Sequence, residues 1–334
     1  MMTRTRRIKV NRSKVLVACV LLALVAFAQP ASAQQFPAKP VRIVTPFSAG
    51  SGPDLVIRLV GDKLSRAWGQ QVVIENRPGG SGFIAIGAVK KAPPDGYMLV
   101  QVDNAHMAAQ PHLFKQLPHD IGRDFQPVAA LFRTYFFVVV PASSSWKGMA
   151  DLIAAAKANS GELTYGSWFV GSPGHLGAAF LEAATGIQMT HVPFKDLAQL
   201  YAAVGNNDVA WAFGTAASAG AMYRAEKVKF LAVAAPARIA GFAHVPTVGE
   251  AGGPVNFEVK GWTALLAPRG TPEPVIERVN ADVARALAEP DSRERLAAFG
   301  FEPISPSPEA ITKMIDADSR QYAAVINRAK ISLD

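Results

Sequence analysis

Short apolar runs rich in β-branched residues alternate along this chain with longer segments in which apolar residues recur at helical spacing. Runs of the first kind predict buried strands, and segments of the second kind predict amphipathic helices. In the first third of the chain, strands are predicted at 40–45, 72–75 and 97–102, and helices at 55–64 and 83–91. This close alternation indicates a parallel sheet covered by helices on both faces.

The rest of the chain repeats the alternation. Its predicted strands lie at 131–140, 163–167, 189–194, 209–214, 229–235 and 257–266, and its predicted helices at 149–158, 175–185, 197–204, 216–225, 274–288, 291–299 and 308–328. The strands at 131–140 and 257–266 are the candidate crossovers between two α/β domains, which makes a hinged clamshell. We predict a first domain of residues 34–135 plus 265–334 and a second domain of residues 136–264.

The loop of small residues between the first strand and the first helix is the main candidate for binding chemistry. Ser51 or Gly52 can cap the helix, and Pro53 suits its first turn, where a missing N–H costs nothing. Backbone N–H groups at a helix start have no intrahelical partner, and the helix dipole adds partial positive charge. A carboxylate or phosphate therefore fits there. An ordinary turn between a strand and a helix explains the same residues.

Further loops should lie at the same rim of the sheet. The segments 46–54, 76–82 and 103–106 all follow predicted strands, and ligands lie beyond the carboxyl ends of strands in such sheets. In the second domain, the small-residue segment 167–174 again joins a strand to a helix. Two such loops, one on each domain, can hold an anionic ligand between them.

The first 33 residues resemble a secretory signal peptide. They combine six basic residues with an apolar run over 15–28, too short for a comfortable membrane span, and an Ala-x-Ala site that ends at Ala33. Cleavage there leaves 28 basic against 26 acidic residues, so nucleic-acid binding has no electrostatic support. Cys19 is the only cysteine of the chain, which excludes disulfides and thiol chemistry from the mature protein.

Several blocks of the chain resemble the receptors of tripartite tricarboxylate transporters, also called Bug receptors. They occur in order along nearly the whole mature chain. The blocks are 40–47 with 50–54, then Val73-Ile74-Glu75-Asn76-Arg77-Pro78-Gly79, Pro94-Asp95-Gly96-Tyr97, 124–128, Tyr165-Gly166-Ser167, His191-Val192-Pro193-Phe194-Lys195, 245–252 (Val-Pro-Thr-Val-Gly-Glu-Ala-Gly) and 266–272. The block at 73–79 and the one at 245–252 are fairly specific.

The resemblance implies a fold, a function and partners. The fold is an α/β two-domain clamshell of the periplasmic-binding-protein type, type II-like, with two crossover strands. Such a receptor captures a small carboxylate in the periplasm for membrane permease subunits. Separately, the signal peptide and the near-neutral mature charge lead us to predict a monomer, and we predict no cofactor. In the family, backbone amides and ordered waters of two loops hold the carboxylate. Here those loops are 47–54 and 167–174.

This chain departs from the family at three places. Trp168-Phe169-Val170 stand where small residues with a Ser or Thr are usual, and Pro173 removes one possible N–H donor. Gly214 replaces a common Asp, which in the family can meet an amino group, and Asp196 follows Lys195 in place of Gly. These changes argue against amino-acid ligands and favour a carboxylate with an apolar or aromatic body.

The residues and the resemblance together define the candidate ligand-binding set. Its members are Phe47, Ser48, Ala49, Gly50, Ser51, Asp54, Asn104, His106, Ser167, Trp168, Phe169, Gly171, Ser172, His175, Phe194 and Gly214. Asp54 either stabilises the first helical turn or contacts the ligand, and His175 is either a structural histidine or a ligand contact. Trp168 and Phe169 are expected to form a wall of the site, with a core position as the alternative, and Arg77 is expected to tether a loop.

The residues also bear on three other functions. A hydrolase would need a triad among residues such as Ser48, His106 and Asp54, but no Gly-x-Ser-x-Gly elbow follows a strand. Metal binding has no support, because His106, His112 and His119 lack ligand-like spacing and are expected at the surface or as caps. A receptor that presents its ligand to a membrane histidine kinase remains compatible with the sequence.

Overall fold

The computed structural model describes residues 36–329 and 331–333, and the predicted signal peptide with Cys19 lies outside this range. The strands are β1 (Val41–Thr45), β2 (Val72–Asn76), β3 (Met98–Asp103), β4 (Phe125–Pro141), β5 (Thr164–Ser167), β6 (Thr190–Pro193), β7 (Trp211–Gly214), β8 (Val228–Ala234), β9 (Lys260–Pro268) and β10 (Phe301–Pro303). The helices are α1 (Gly52–Trp68), α2 (Phe83–Lys90), α3 (Gln110–Leu113), α4 (Ile121–Asp124), α5 (Met149–Ala158), α6 (Pro173–Thr185), α7 (Leu197–Gly205), α8 (Ala216–Arg224), α9 (Glu273–Ala288), α10 (Pro290–Ala298) and α11 (Pro308–Ala329).

The ten strands form one connected sheet, in the order β2-β1-β3-β9-β4-β7-β5-β6, with β8 and β10 also paired to β4. Strands β1, β2 and β3 are parallel, and so are β5, β6 and β7. Strands β4 and β9 run antiparallel to their neighbours. The parallel strands predicted for the first third of the chain are confirmed, whereas the two crossover strands are antiparallel to their neighbours, because the chain passes along β4 and returns along β9.

Strand β4 belongs to both parts of the sheet. Its residues 125–135 pair with β9, and residues 136–141 pair with β8. We call residues 39–135 and 260–333 the first lobe and residues 136–259 the second lobe. The pairing of β9 with β3 places residues 263–264, assigned to the second domain from the sequence, in the first lobe, while the predicted domain boundaries stay a prediction.

Helix α1 follows the chemistry expected from its sequence. Ser51 is the N-cap residue in an extended conformation, and Gly69 ends the helix in the left-handed region at φ 64°. The buried face carries Val56, Ile57 and Val60 and packs the helix on its sheet. The helix N-terminus is thereby fixed directly after the loop that follows β1.

The second lobe packs on both faces of its sheet. Along β4, Phe136 and Val138 lie in one apolar cluster, and Phe137 and Val139 lie in the other. This period of two is the pattern of a strand buried on both faces. The core thus holds β4 firmly at the point where the two lobes meet.

Two local features differ from the sequence prediction. Residues 103–106 are not a loop, because β3 runs to Asp103 and a π-helical turn follows over Ala105–Ala109. The short strand β10 was not predicted, since only three residues pair with β4. In the part of the chain that the structure describes, no helix combines the length and apolarity needed to cross a membrane.

Candidate functional site

A cavity of about 900 Å³ lies between the two lobes. Residues 46–48, 51–53 and 78–82 line it from the first lobe together with Asp103 and His106, so the three predicted rim segments meet there. From the second lobe, residues 168–170 and 193–197 line it. Of the predicted set, the lining includes Phe47, Ser48, Ser51, His106, Trp168, Phe169 and Phe194.

The N-terminus of α1 opens onto this cavity. Gly52 and Pro53, the first residues of the helix, line the cavity beside Ser51. The Ser51 hydroxyl caps nothing, and it is buried without a hydrogen-bond partner among the described residues. A buried hydroxyl without a partner is costly, so this group is set up for a ligand or an ordered water. With the free N–H groups of the first turn it forms a site for an anion.

The Asp54 side chain stabilises the loop between β1 and α1 and does not line the cavity. Its carboxylate accepts hydrogen bonds from the Gly50 amide at 2.8 Å, from Arg58 and from Asn76. Burial alone raises the pKa of Asp54, but the hydrogen bonds from Arg58, Asn76 and Gly50 outweigh it and hold the pKa below its usual value. The side chain therefore has the structural role that was one of its two interpretations.

Aromatic side chains form most of the remaining wall. They are Phe47, Phe132, Phe136, Trp168, Phe169, Phe194, Trp262 and Phe301. Trp168 stacks on Phe136, with centroids 5.6 Å apart, and also packs against both core clusters of the second lobe. The wall and core interpretations of Trp168 are thus both realised in the structure.

His175 lies behind the wall, in a buried stack with His191 whose centroids are 4.0 Å apart. Its Nδ1 accepts a hydrogen bond from the Gly171 amide, and its own amide donates to the Ser172 hydroxyl that caps α6. Burial, with a smaller contribution from His191, lowers the pKa of His175 to about 3. Since Nδ1 is an acceptor for the backbone, His175 positions the loop and does not line the cavity.

The other predicted residues also lie outside the lining. Ala49 and Gly50 are exposed on the loop. Asn104 is fully buried and donates to Asp318 and Tyr322. Ser167 is bonded to His191 and the Phe169 carbonyl, and Gly171 and Ser172 are bonded to His175. Gly214 lies so close to Tyr201 that a Cβ there would be 2.7 Å from the tyrosine hydroxyl.

Polar groups that the sequence analysis missed also face the cavity. Thr263 on β9 lines it, and its hydroxyl is buried with no partner among the described residues. Thr134, Thr215 and Ser218 line it as well. No local signal marks Thr263, because it lies within an apolar strand whose orientation is set by pairing with β3.

Two of the three histidines near α3 are buried, which corrects the sequence expectation for them, whereas His112 is partly exposed. His106 is 2 % exposed and His119 is 4 % exposed, and neither caps a helix with its side chain. Both ring nitrogens of His119 lack a partner among the described residues. Within that part of the chain, no group of three or more His, Cys, Asp or Glu side chains is placed to hold a metal ion.

Known proteins resemble the chain along most of its length. Residues 56–331 match the family described as "Tripartite tricarboxylate transporter family receptor". A UPF0065 protein from the tcbD–tcbE intergenic region of Pseudomonas sp. strain P51 is 30 % identical, over 95 % of this chain and 94 % of that protein. A structure of an R. palustris protein with adipate is 31 % identical with a TM-score of 0.85, over 89 % of this chain and all of that one. The periplasmic binding protein BugD is 26 % identical with a TM-score of 0.80, over 89 % of this chain and 99 % of that one.

Proposed function

The chain belongs to the tripartite tricarboxylate transporter receptor family, and we propose that it captures a small carboxylate with an apolar or aromatic body for a membrane permease of that transporter type. Members of this family are solute-binding receptors and not enzymes. The signal peptide predicted at residues 1–33 and the similarity to a periplasmic binding protein support export to the periplasm. We further propose that the mature protein acts as a monomer and without a cofactor.

The observation that carries this proposal is the anion site at the start of α1. There the unpartnered Ser51 hydroxyl and the free N–H groups of the first helical turn face a large cavity. Charge-assisted hydrogen bonds from backbone N–H groups to a carboxylate are stronger than neutral ones, so a carboxylate should anchor at this end. The similar protein that was solved with adipate supports the choice of a carboxylate.

The rest of the cavity favours an apolar body for the ligand. Trp168, Phe169 and Phe136 lie on the side of the second lobe, and Phe132 and Phe301 lie on the side of the first. An aromatic ligand face packed on such rings gains about 0.5–1.5 kcal/mol beyond area burial. Lys195 is the only lysine or arginine among the described lining residues, which suits a ligand with one strongly held charge.

Closure of the two lobes on the ligand is part of the proposal. The anion site lies on the first lobe and the aromatic loop 168–170 lies on the second, so a ligand contacts both only when the lobes are together. The segments that would bend are the crossovers, in β4 and before β9. A smaller radius of gyration of the saturated protein, measured by X-ray scattering, would support this motion.

Thermal unfolding with a panel of carboxylates tests the function. We expect stabilisation by aromatic and aliphatic acids such as benzoate and adipate, with about 2.7 kcal/mol gained at a hundredfold excess over the dissociation constant. Citrate and aspartate should stabilise the protein less at equal concentration. A panel in which no carboxylate stabilises the protein would contradict the proposed function, and tight binding of citrate or aspartate would contradict the apolar ligand body.

A substitution at the aromatic loop tests the ligand body. Phe169→Leu should weaken benzoate more than adipate, by about 0.5–1.5 kcal/mol, because it removes a ring and keeps an apolar side chain. Isothermal titration calorimetry with both acids measures this difference. Phe114→Leu is a matched control, since Phe114 packs in a cluster away from the cavity lining. Equal effects of the two variants on benzoate would show that the loop does not contact the ligand.

A further inference from the structure

His106 lies where loops from both lobes meet. Its ring packs edge-on against Phe47, with centroids 5.9 Å apart, and is tilted against Phe169 of the second lobe at 5.7 Å. Gly82 leaves room for the ring, because a Cβ there would lie 2.5 Å from His106 Nε2 and 3.6 Å from Pro46. His106 thus borders the cavity beside the loop that carries the anion site.

Asp103 determines which nitrogen of the His106 ring carries a proton. The Asp103 Oδ1 atom lies 2.5 Å from Nδ1 of His106 and also accepts the His106 backbone N–H at 3.0 Å. Since a carboxylate accepts only, Nδ1 carries a proton, and the ring nitrogen left without a protein partner is Nε2. When the imidazole is neutral, Nε2 presents a lone pair, which repels a carboxylate. When the ring is protonated, Nε2–H is a charged donor.

The charges around the cavity show why the protonation state of His106 matters for a carboxylate ligand. Among the described lining residues, the charged or titratable side chains are Asp103, His106, Lys195 and Asp196. Asp196 is committed to capping α7, and Lys195 belongs to the second lobe. His106 is therefore the one lining side chain of the first lobe that can become positive next to a carboxylate held at α1.

We propose that His106 takes up a proton when the carboxylate ligand binds and donates it from Nε2 in a hydrogen bond to that carboxylate. Asp103 is the positioning residue: it holds Nδ1–H and balances the imidazolium charge. The proton comes from solvent, so that one ligand anion and one proton enter the site together. This inference rests on the proposed function, because it requires a carboxylate at the start of α1.

Other titratable groups near the His106 ring do not replace it as the group that takes up the proton. His119 lies close enough to sense the charge of His106, and burial, that charge and Lys90 lower the pKa of His119 to about 4, so it stays neutral near neutral pH. Tyr322 of α11 lies near Asp103, and burial raises its pKa. The segments 46–54 and 168–170, which pack on the ring, contain Asp54 as their only charged or titratable residue, and Asp54 is already bonded to Arg58 and Asn76.

Calorimetric titration of the mature protein with adipate and with benzoate tests the inference. At about pH 8, the heat should change with the ionisation enthalpy of the buffer and correspond to uptake of about one proton per ligand. The dissociation constant should then rise by up to about tenfold per pH unit. HEPES and Tris buffers at equal pH and ionic strength suffice for this comparison, and phosphate is avoided because it could compete for the anion site.

Variants separate proton uptake from binding. His106→Gln places a neutral donor near the position of Nε2, so it should bind adipate with a heat that is independent of the buffer. Asp103→Asn should lower affinity and reduce proton uptake, because the imidazolium loses its counter-charge. His112→Gln is the control: His112 is bonded to Ser319, does not line the cavity, and should leave the uptake unchanged.

The outcomes distinguish this inference from the proposed function. Carboxylate binding with heats that are the same in both buffers would overturn the inference and leave the function standing. Stronger binding of hydroxy acids without proton uptake would show Nε2 to be a neutral acceptor, which also overturns it. Absence of any carboxylate binding would remove both. The comparison of the two buffers with the wild-type protein shows whether a proton is taken up, even where a variant folds poorly.

Discussion

Lowering the pH from about 7.5 to about 5 should cost the protein at least about 4 kcal/mol of unfolding free energy, about 2 kcal/mol from each of two histidines that are more than nine-tenths buried. The two are His119, which is 4 % exposed, and His175, which is 8 % exposed. Burial first, and neighbouring charges second, lower the pKa of His119 to about 4 and that of His175 to about 3 from 6.5. Burial also lowers the pKa of the partly exposed His191 to about 4, which adds to the loss in the same direction.

The sign of the effect follows from proton linkage. In this pH range the unfolded chain protonates both histidines and the folded protein keeps them neutral, so the unfolded state binds more protons. The stability is fully present above about pH 6.5 and is lost progressively as the pH falls toward about 4. Below that range His119 becomes protonated in the folded state as well, and its contribution to the loss levels off.

His119→Leu isolates one of the two contributions. Neither ring nitrogen of His119 has a hydrogen-bond partner among the described residues, so an apolar side chain removes the titration without breaking a contact of this kind. We expect the acid loss of the variant to shrink by about 2 kcal/mol, measured by denaturant unfolding at both pH values. His244→Gln, at an exposed histidine, should show the parental loss. An unchanged acid loss in His119→Leu would contradict the argument.

Gly52→Val should weaken carboxylate binding by a factor of about 5 to 150, since overpacking costs about 1–3 kcal/mol. A Cβ at Gly52 would lie 2.6 Å from the Phe301 ring and 3.1 Å from Cβ of Ala217 in the second lobe. The first contact lies within one lobe, but the second exists only while the lobes are together. A side chain at this position therefore acts against the closed form and also disturbs the first turn of α1.

Two measurements on the same samples make this test specific. The dissociation constant of adipate reports closure and the anion site, and the unfolding free energy reports packing against Phe301. Gly61→Ala is the control, because its Cβ would meet only Ile74 and Val72 of β2, away from the cavity lining. If Gly52→Val binds adipate as tightly as Gly61→Ala does, then the approach of α1 to Ala217 plays no part in binding.

Much of the fold could be predicted, because its signals are local. Helix α5 covers the predicted residues 149–158, and Ser51 and Pro53 occupy the cap and first turn predicted for α1. The antiparallel direction of β4 and β9 could not be predicted, because an apolar strand has the same pattern in either direction. The π-helical turn after Asp103 replaced a predicted loop for a related reason: its alanines pack against α11, far along the chain.

The loops that form the candidate site could be predicted from the sequence. The side chains that face the cavity could be predicted less well. Small residues at the ends of strands mark the rim, and residues 46–48, 51–53, 78–82 and 168–170 do line the cavity. Which polar atoms remain free depends on tertiary contacts. From the sequence, Asp54 and His175 could each contact a ligand, but both accept hydrogen bonds from neighbouring backbone amides. Nothing in the sequence pointed to Thr263, whose hydroxyl has no hydrogen-bond partner among the described residues. No local pattern distinguishes these cases.

Strand β4, which both lobes share, has a consequence for how the protein unfolds. Residues 125–135 complete the sheet of the first lobe and residues 136–141 complete that of the second, and nearly every side chain between Val128 and Pro141 is buried. Removing this strand would expose apolar surface on both sides of the chain crossing at once. We therefore expect the lobes to unfold as one cooperative unit, even though the proposed ligand capture moves them as separate bodies.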